Sequence, residues 1–235
     1  MLPASKQTLV VLTGAGISAE SGIATFRDAG GLWEGYDIMV VASPEGWDKD
    51  PELVLDFYNQ RRRAAMKAKP NLAHQLLAKL EDHFEVIIIT QNVDDLHERG
   101  GSSNVIHLHG ELSKSRSTKK ASLVYDINGT ELNLGDTCEL GSQLRPNIVW
   151  FGEMVPLLDT AADFVRNADK LAIIGTSLVV YPAAGLVHFA PDKCYKYIID
   201  PKMPDVGFID RLTKIEKTAT KGTQELFDLL TKSKK

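Results

Sequence analysis

Six short apolar runs, rich in valine and isoleucine, constrain the fold most. They are Leu9–Leu12, Val86–Ile89, Val105–Leu108, Ile148–Phe151, Leu171–Ile174 and Tyr197–Ile199. None alternates cleanly with polar residues. Each therefore reads as a strand buried on both faces, the habit of parallel sheets. Helical patterns stand between them. Pro70–His83 carries Leu72, Leu76, Leu77 and Leu80 on one face, Leu157–Ala168 follows Pro156, and Pro182–Ala190 is small and apolar. Thr223–Leu230 groups Leu226, Phe227 and Leu230. Alternating strand and helix predict an α/β fold with a parallel sheet and right-handed crossovers.

Two stretches break the rhythm. Residues 28–68 contain Gly30, Gly31, Gly35 and Pro44 before a helix from Pro51. Residues 111–146 are polar and carry the turn signal Asn128-Gly129, around which Val124–Ile127 and Thr130–Leu134 read as a hairpin. Both are expected to form a smaller lobe (about 28–68 and 111–146) beside a larger one (about 1–27, 69–110 and 147–235). The cleft between lobes is a usual place for a ligand.

Composition narrows the function classes. Of 235 residues, 43% are hydrophobic and 25% charged, a globular balance. The formal net charge of −4 gives no basic field for nucleic acid or an anionic membrane. No apolar run approaches the ~20 residues of a membrane span. Met1–Gln7 lacks the apolar core of a signal peptide, so a cytoplasmic location is expected. Two cysteines, Cys138 and Cys194, exclude both a disulfide framework and a four-cysteine zinc site.

Directly after the first run comes Gly14-Ala15-Gly16-Ile17-Ser18-Ala19. This fits the glycine loop that brings backbone N–H groups to a pyrophosphate. A dehydrogenase would continue into a long helix and a second strand. Here Gly22, Gly30 and Gly31 interrupt, so hydride transfer is disfavoured. Other polar groups stand at strand ends: Gln91, Asn92 and Asp94; His107 and His109; Gly175, Thr176 and Ser177. Histidine suits general-base work near neutral pH. Spacing alone does not separate His107 from His109, two apart on one strand.

The run from Gly14 to Asp28, with Gln91-Asn92-Val93-Asp94, His107-Leu108-His109-Gly110-Glu111 and Gly175-Thr176-Ser177, resembles the sirtuins, NAD-dependent protein-lysine deacylases. The resemblance runs from about Thr8 to Leu230. It implies a Rossmann-like large lobe, a small lobe from two insertions and the site between them. It implies NAD as a consumed co-substrate, yielding nicotinamide, free lysine and O-acyl-ADP-ribose.

The resemblance assigns His109 as the catalytic base. It gives cofactor binding to Gly14, Ala15, Gly16, Glu20, Thr25, Phe26, Arg27, Trp33, Gln91, Asn92, Asp94, Gly175, Thr176 and Ser177. Asn92 and Asp94 fall to nicotinamide and Gln91 to ribose. Asp200 stands where the family usually has Asn and is expected at the adenosine ribose; Ala219 is expected at adenine. The segments Val149–Glu153, with Val149, Phe151, Gly152 and Glu153 at the substrate, and Ser177–Tyr181 would clamp an acyl-lysine peptide as an added strand.

Tyr58 and Arg61 share a helix face, and together a phenol and a guanidinium can hold a carboxylate. Their context, Phe57–Arg63 with Ala42, resembles the subgroup that removes succinyl, malonyl and glutaryl groups. Some bacterial members also deacetylate. The chain departs from most sirtuins at their zinc cysteines. Residues 111–146 hold only Cys138, with Ser117 near an expected cysteine position, so no metal is expected. Leu123, Val124, Tyr125, Ile127, Leu132 and Leu134 are expected to hold the lobe instead. The partners implied are acylated lysines of proteins, and the family favours a monomer. The alternative is protein ADP-ribosyltransfer from the same NAD cleft.

Overall fold

The structure is a computed structural model that describes residues 6–25, 32–33 and 35–232. In chain order come β1 (Thr8–Thr13), the antiparallel pair β2 (Leu32–Trp33) and β3 (Tyr36–Asp37), α1 (Ile38–Val41), α2 (Pro44–Lys49), α3 (Pro51–Lys67) and α4 (Leu72–Lys79). Next are β4 (Glu85–Thr90), α5 (Leu96–Arg99), β5 (Val105–His107), β6 (Gly110–Ser117), β7 (Val124–Asp126) and β8 (Leu144–Ile148). The last are α6 (Leu158–Arg166), β9 (Lys170–Ile174), a 3-10 segment (Ala183–Phe189), β10 (Tyr195–Ile199), β11 (Leu212–Ile215) and α7 (Ala219–Lys232).

Six strands pair in parallel in the order β11-β10-β9-β1-β4-β5. Central β1 shows why the apolar runs do not alternate. Leu9 and Val11 enter one core with α4 and α7, while Val10 and Leu12 enter another with α6 and the 3-10 segment. All four are wholly buried. Burial of each contributes about 1.5–3 kcal/mol of transfer free energy. From β1 the sheet grows through β4 and β5 one way and through β9, β10 and β11 the other. Such a reversal opens a crevice at the carboxyl ends of the strands.

Several expectations need correction. Ile148–Phe151 is not a strand of the parallel sheet. Leu144–Ile148 instead pairs antiparallel with β6, and Ile148 and Trp150 pack with α3 in a separate apolar cluster. Within Pro182–Ala190 the helix is a 3-10 segment, Ala183–Phe189. Edge strand β11 escaped notice because only Leu212 and Ile215 of its four residues are apolar. The hairpin is also absent: β7 pairs with β6, Tyr125 opposite Ser115. The backbone expected as the second hairpin arm is taken by α3. Arg62 Nη1 donates to the Thr130 carbonyl at 2.8 Å, and Asn59 exchanges two hydrogen bonds with Leu132 at 3.0 and 3.1 Å. Burying Arg62 and Asn59 obliges them to find such partners.

The apolar set expected to hold this region does not do so. Leu132 is buried, but Val124 and Leu134 are exposed. A polar cluster ties the strands instead: Ser117 Oγ lies 2.8 Å from Ser142 Oγ, and Cys138 Sγ lies 3.4 and 3.1 Å from those two oxygens.

Helix α3 starts where the sequence says it should. The Asp50 side chain accepts from Leu53 N at 3.0 Å and Pro51 takes the first turn. Its buried face carries Val54, Phe57, Tyr58 and Ala65.

Two wholly buried histidines, His74 of α4 and His97 of α5, stand edge to face with ring centroids 5.0 Å apart. Burial holds the His74 imidazole down to about 4. Burial, and then the charges of His74 and His107, hold His97 well below 6.5. The unfolded chain protonates both near 6.5, so their contribution is complete above that pH and is lost as the pH falls through 6.5 toward 4. For His74 alone the loss at pH 5 is about 2 kcal/mol. His107 acts oppositely. Burial lowers it, but Glu98 at 2.8 Å outweighs burial and raises it, so its contribution is largest below 6.5. The net expectation is a lower urea midpoint at pH 5 than at pH 7.5, and His74→Gln narrows that gap. An equal gap in the variant would clear His74 of the effect.

Candidate active site

The carboxyl ends of β1, β4, β5, β9 and β10 surround one cavity of about 440 Å³. β1 leaves the sheet through Gly14, whose N–H donates to Ile174 O at 3.1 Å, and Gly16 N–H donates to Gly175 O at 2.8 Å. Two 3-10 turns, Ala15–Ile17 and Ala19–Ser21, follow in place of a long helix. The contact is backbone on backbone: a Cβ on Gly16 would lie 2.6 Å from Gly175 Cα.

The strand after α4 brings the polar cluster. Gln91 N–H donates to Thr13 O at 2.9 Å, which aligns the ends of β4 and β1. Gln91 Nε2 donates to Thr176 Oγ1 at 3.2 Å, across the cavity floor to β9. Asn92 Nδ2 donates to Ser18 Oγ, which donates to Asp94 Oδ2, each at 3.2 Å. Asn92 and Asp94 are both buried. Burial raises the Asp94 carboxyl, against hydrogen bonds from Leu96 N–H and Ser18.

The two histidines part company because β5 ends at His107. His107 turns to Glu98 and to the Asn92 carbonyl at 3.0 Å, away from the cavity wall. His109 lines the cavity. Its Nδ1 lies 3.1 Å from the Gln91 carbonyl, which can only accept. The proton therefore sits on Nδ1 and Nε2 keeps its lone pair. Burial pushes the imidazole below 6.5, the Gln91 hydrogen bond opposing. The ring is neutral at neutral pH.

Of the other expected residues, Gly14, Ala15, Gly16, Glu20, Thr25, Gln91, Asn92, Asp94, Gly175, Thr176, Ser177, Asp200 and Ala219 all line this cavity. Ala42, Tyr58, Val149, Phe151, Gly152 and Glu153 do too. Phe26 and Arg27, with the side chain of Trp33, lie outside the described residues. Glu20 is engaged by protein: Thr220 N–H and Oγ1 donate to its carboxylate at 2.9 and 2.8 Å, tying the glycine loop to α7.

Arg61 departs from expectation. Among the described residues it is not part of the wall, and its guanidinium lies 5.2 Å from the Phe57 ring centroid. Tyr58 is wholly buried in that wall, and Trp150 Nε1 donates to its hydroxyl at 3.0 Å. Arg145 lies over the Trp150 ring at 3.6 Å and joins Arg116 on Glu153, whose carboxylate also accepts Trp150 N–H at 2.8 Å. Ser18 and Thr218 are wall residues that sequence reasoning did not single out. Trp150, within the expected clamp Val149–Glu153, is a wall residue as well. Among the described residues no group of three or more His, Cys, Asp or Glu side chains is placed to hold a metal. No helix among them is long and apolar enough to cross a membrane.

Comparison with known proteins gives a consistent picture. A profile described as the Sir2 family matches residues 14–182. An NAD-dependent protein deacylase of Helicobacter pylori is 57% identical over 224 residues, 95% of this chain and 97% of that protein. One from Bacteroides thetaiotaomicron is 52% identical over 229 residues, 95% and 98% of the two chains. The crystal structure of a Sir2 homologue in complex with NAD superposes with a TM-score of 0.87 at 41% identity, covering 97% of this chain and 91% of that one.

Proposed function

Because the chain belongs to the Sir2 family, we propose that it is an NAD-dependent protein deacylase that acts on acyl-lysine and favours acidic acyl groups, succinyl and malonyl, with acetyl removal alongside. One observation carries this reading. A single cavity joins the glycine loop, the Asn92–Asp94 pair and His109 to a wall containing Ala42 and Tyr58. NAD suits this donor set. The Gly14 and Gly16 N–H groups are taken by Ile174 and Gly175 carbonyls, so phosphate falls to the backbone at Ala15 and the hydroxyls of Thr176 and Ser177 in the same wall. An amide beside a carboxylate complements the nicotinamide carboxamide, and Asp200 can accept from ribose hydroxyls.

Bound NAD supplies a ribose carbon that parts from nicotinamide and takes up the acyl oxygen. The residues do the rest. His109, with its proton held at Nδ1, accepts a ribose hydroxyl proton at Nε2. Asn92 and Asp94 hold the departing nicotinamide, and Gln91 the ribose. Val149 and the turn through Glu153 offer backbone to the substrate peptide. Tyr58 stays protonated, since burial raises its phenol first of all, and can meet a substrate carboxylate as a neutral hydrogen-bonding group. Arg61, one turn further along α3, would complete the acid pocket once its guanidinium turns from the Phe57 ring toward the cavity.

The test compares one lysine peptide carrying acetyl or succinyl, with and without NAD, by product mass. Succinyl loss with formation of acyl-ADP-ribose is expected. Label passing from NAD to protein without acyl loss would favour ADP-ribosyltransfer. Arg61→Met is expected to lower kcat/KM for the succinyl peptide about 10- to 100-fold, the worth of a charge-assisted hydrogen bond, and for the acetyl peptide less than about threefold. Equal loss on both would remove the acid pocket. Tyr58→Phe is the poorer probe, because it also strips the partner of a buried Trp150 N–H.

A further inference from the structure

Only one of the six histidines enters the chemistry above. His97 is wholly buried, yet it heads a chain of hydrogen bonds that ends at the site. Its Nε2 lies 2.9 Å from Thr13 Oγ1, at the last residue of β1. Thr13 donates its only hydroxyl proton to Thr90 Oγ1 at 2.8 Å, at the last residue of β4. Thr13 must therefore accept from His97, which places the imidazole proton on Nε2. Thr90 Oγ1 in turn accepts the backbone N–H of Asn92 at 3.0 Å. Thr13, Thr90 and His97 are all excluded from solvent.

The relay acts where the sheet stops aligning the chain. Up to Gln91 the backbone is set by strand pairing, with Gln91 N–H on Thr13 O. At Asn92 the chain turns out of the sheet and its N–H has the Thr90 hydroxyl instead. The Asn92 carbonyl is held from the other side by His107 Nδ1 at 3.0 Å. With both backbone groups fixed, the Asn92 side chain is aimed at Ser18 and, through it, at Asp94. Burial, and then the charges of His74 and His107, favour the neutral ring of His97, and the His74 ring packs edge to face against it with centroids 5.0 Å apart.

We propose that His97 is a positioning residue for the nicotinamide end of the site, acting through Thr13 and Thr90 on the backbone of Asn92. The proposal rests on the reading above that Asn92 meets nicotinamide. Its sequence signal is the pair of threonines that end β1 and β4, opposite each other in register.

The two ends of the dinucleotide separate a positioning role from a merely structural one. Affinity is measured calorimetrically for NAD and for ADP-ribose, which lacks nicotinamide. Thr90→Val and His97→Phe remove the relay at nearly constant shape. Both are expected to weaken NAD about 5- to 10-fold, the worth of one buried hydrogen bond, with ADP-ribose within about twofold. His97→Gln, which restores a donor near the Nε2 position, is expected to return most of the NAD affinity. The nicotinamide inhibition constant in peptide turnover should rise with the NAD dissociation constant. Equal weakening of both ligands, or of neither, would overturn the relay. Asn92→Ala tests the premise separately. If it changes the NAD to ADP-ribose ratio while Thr90→Val does not, the relay is wrong and the nicotinamide pocket stands. If Asn92→Ala leaves the ratio unchanged, the pocket reading falls and the proposal with it.

Discussion

His109→Ala is expected to cut NAD-dependent deacylation by about 10²- to 10⁴-fold, the usual worth of a positioned general base. The Gln91 carbonyl at 3.1 Å fixes the proton on Nδ1, so Nε2 is the atom left to accept one. In the proposed sequence the base acts after nicotinamide has left. Exchange of labelled nicotinamide into NAD, in the presence of acyl peptide, should therefore survive in the variant. Loss of exchange together with deacylation would mean that His109 serves binding instead. Burial holds the imidazole below 6.5. The acid limb of kcat/KM for the natural chain should therefore lie below pH 6.5, and the variant's residual rate should lack it.

Gly175→Ala is expected to damage stability and cofactor binding together. Gly175 has φ +64°, a conformation that costs other residues about 1–2 kcal/mol. A Cβ there would also stand 2.4 Å from Ile17 N and 2.5 Å from Gly16 C. Both are backbone atoms of the glycine loop and have no rotamer to change. Together, strain and overpacking put the loss at about 3 kcal/mol. ADP-ribose affinity should fall by ~10-fold or more as the loop is pushed from β9. Gly22→Ala is the control. It carries φ +85°, but nothing lies within 4 Å of its added carbon. It should cost about 1 kcal/mol and leave affinity nearly unchanged. Wild-type urea midpoint and affinity in Gly175→Ala would refute the interlocked loop.

The sheet was legible because its strands are buried on both faces, so Leu9–Leu12 and Val86–Ile89 announce themselves by composition alone. β11 was not, because at an edge Leu212 and Ile215 suffice. Ile148–Phe151 shows the limit of an apolar run as a signal. Burial is real there, but its partner is α3, and nothing local distinguishes one core from another. The polar residues at the carboxyl ends of the strands were visible as motifs, and the structure gathers them. Their mutual bonds were not, since Gln91 to Thr176 spans 85 positions. Arg61 shows the reverse case. Helical spacing put it on the face of Tyr58, while its long side chain rests on Phe57, and periodicity says nothing of rotamers.

The bonds from Asn59 and Arg62 to Thr130 and Leu132 have a consequence for how this chain can vary. They rivet the second insertion to the helix that carries Tyr58, across about seventy positions of sequence. A shift of α3 that reshapes the cavity wall around Tyr58 must drag residues 130–132 with it. If this wall selects the acyl group, as proposed, that preference is a joint property of two distant stretches, and drift in either is answerable to the other. Exchanging the helix alone between relatives would transplant Tyr58 and its neighbours without their mooring.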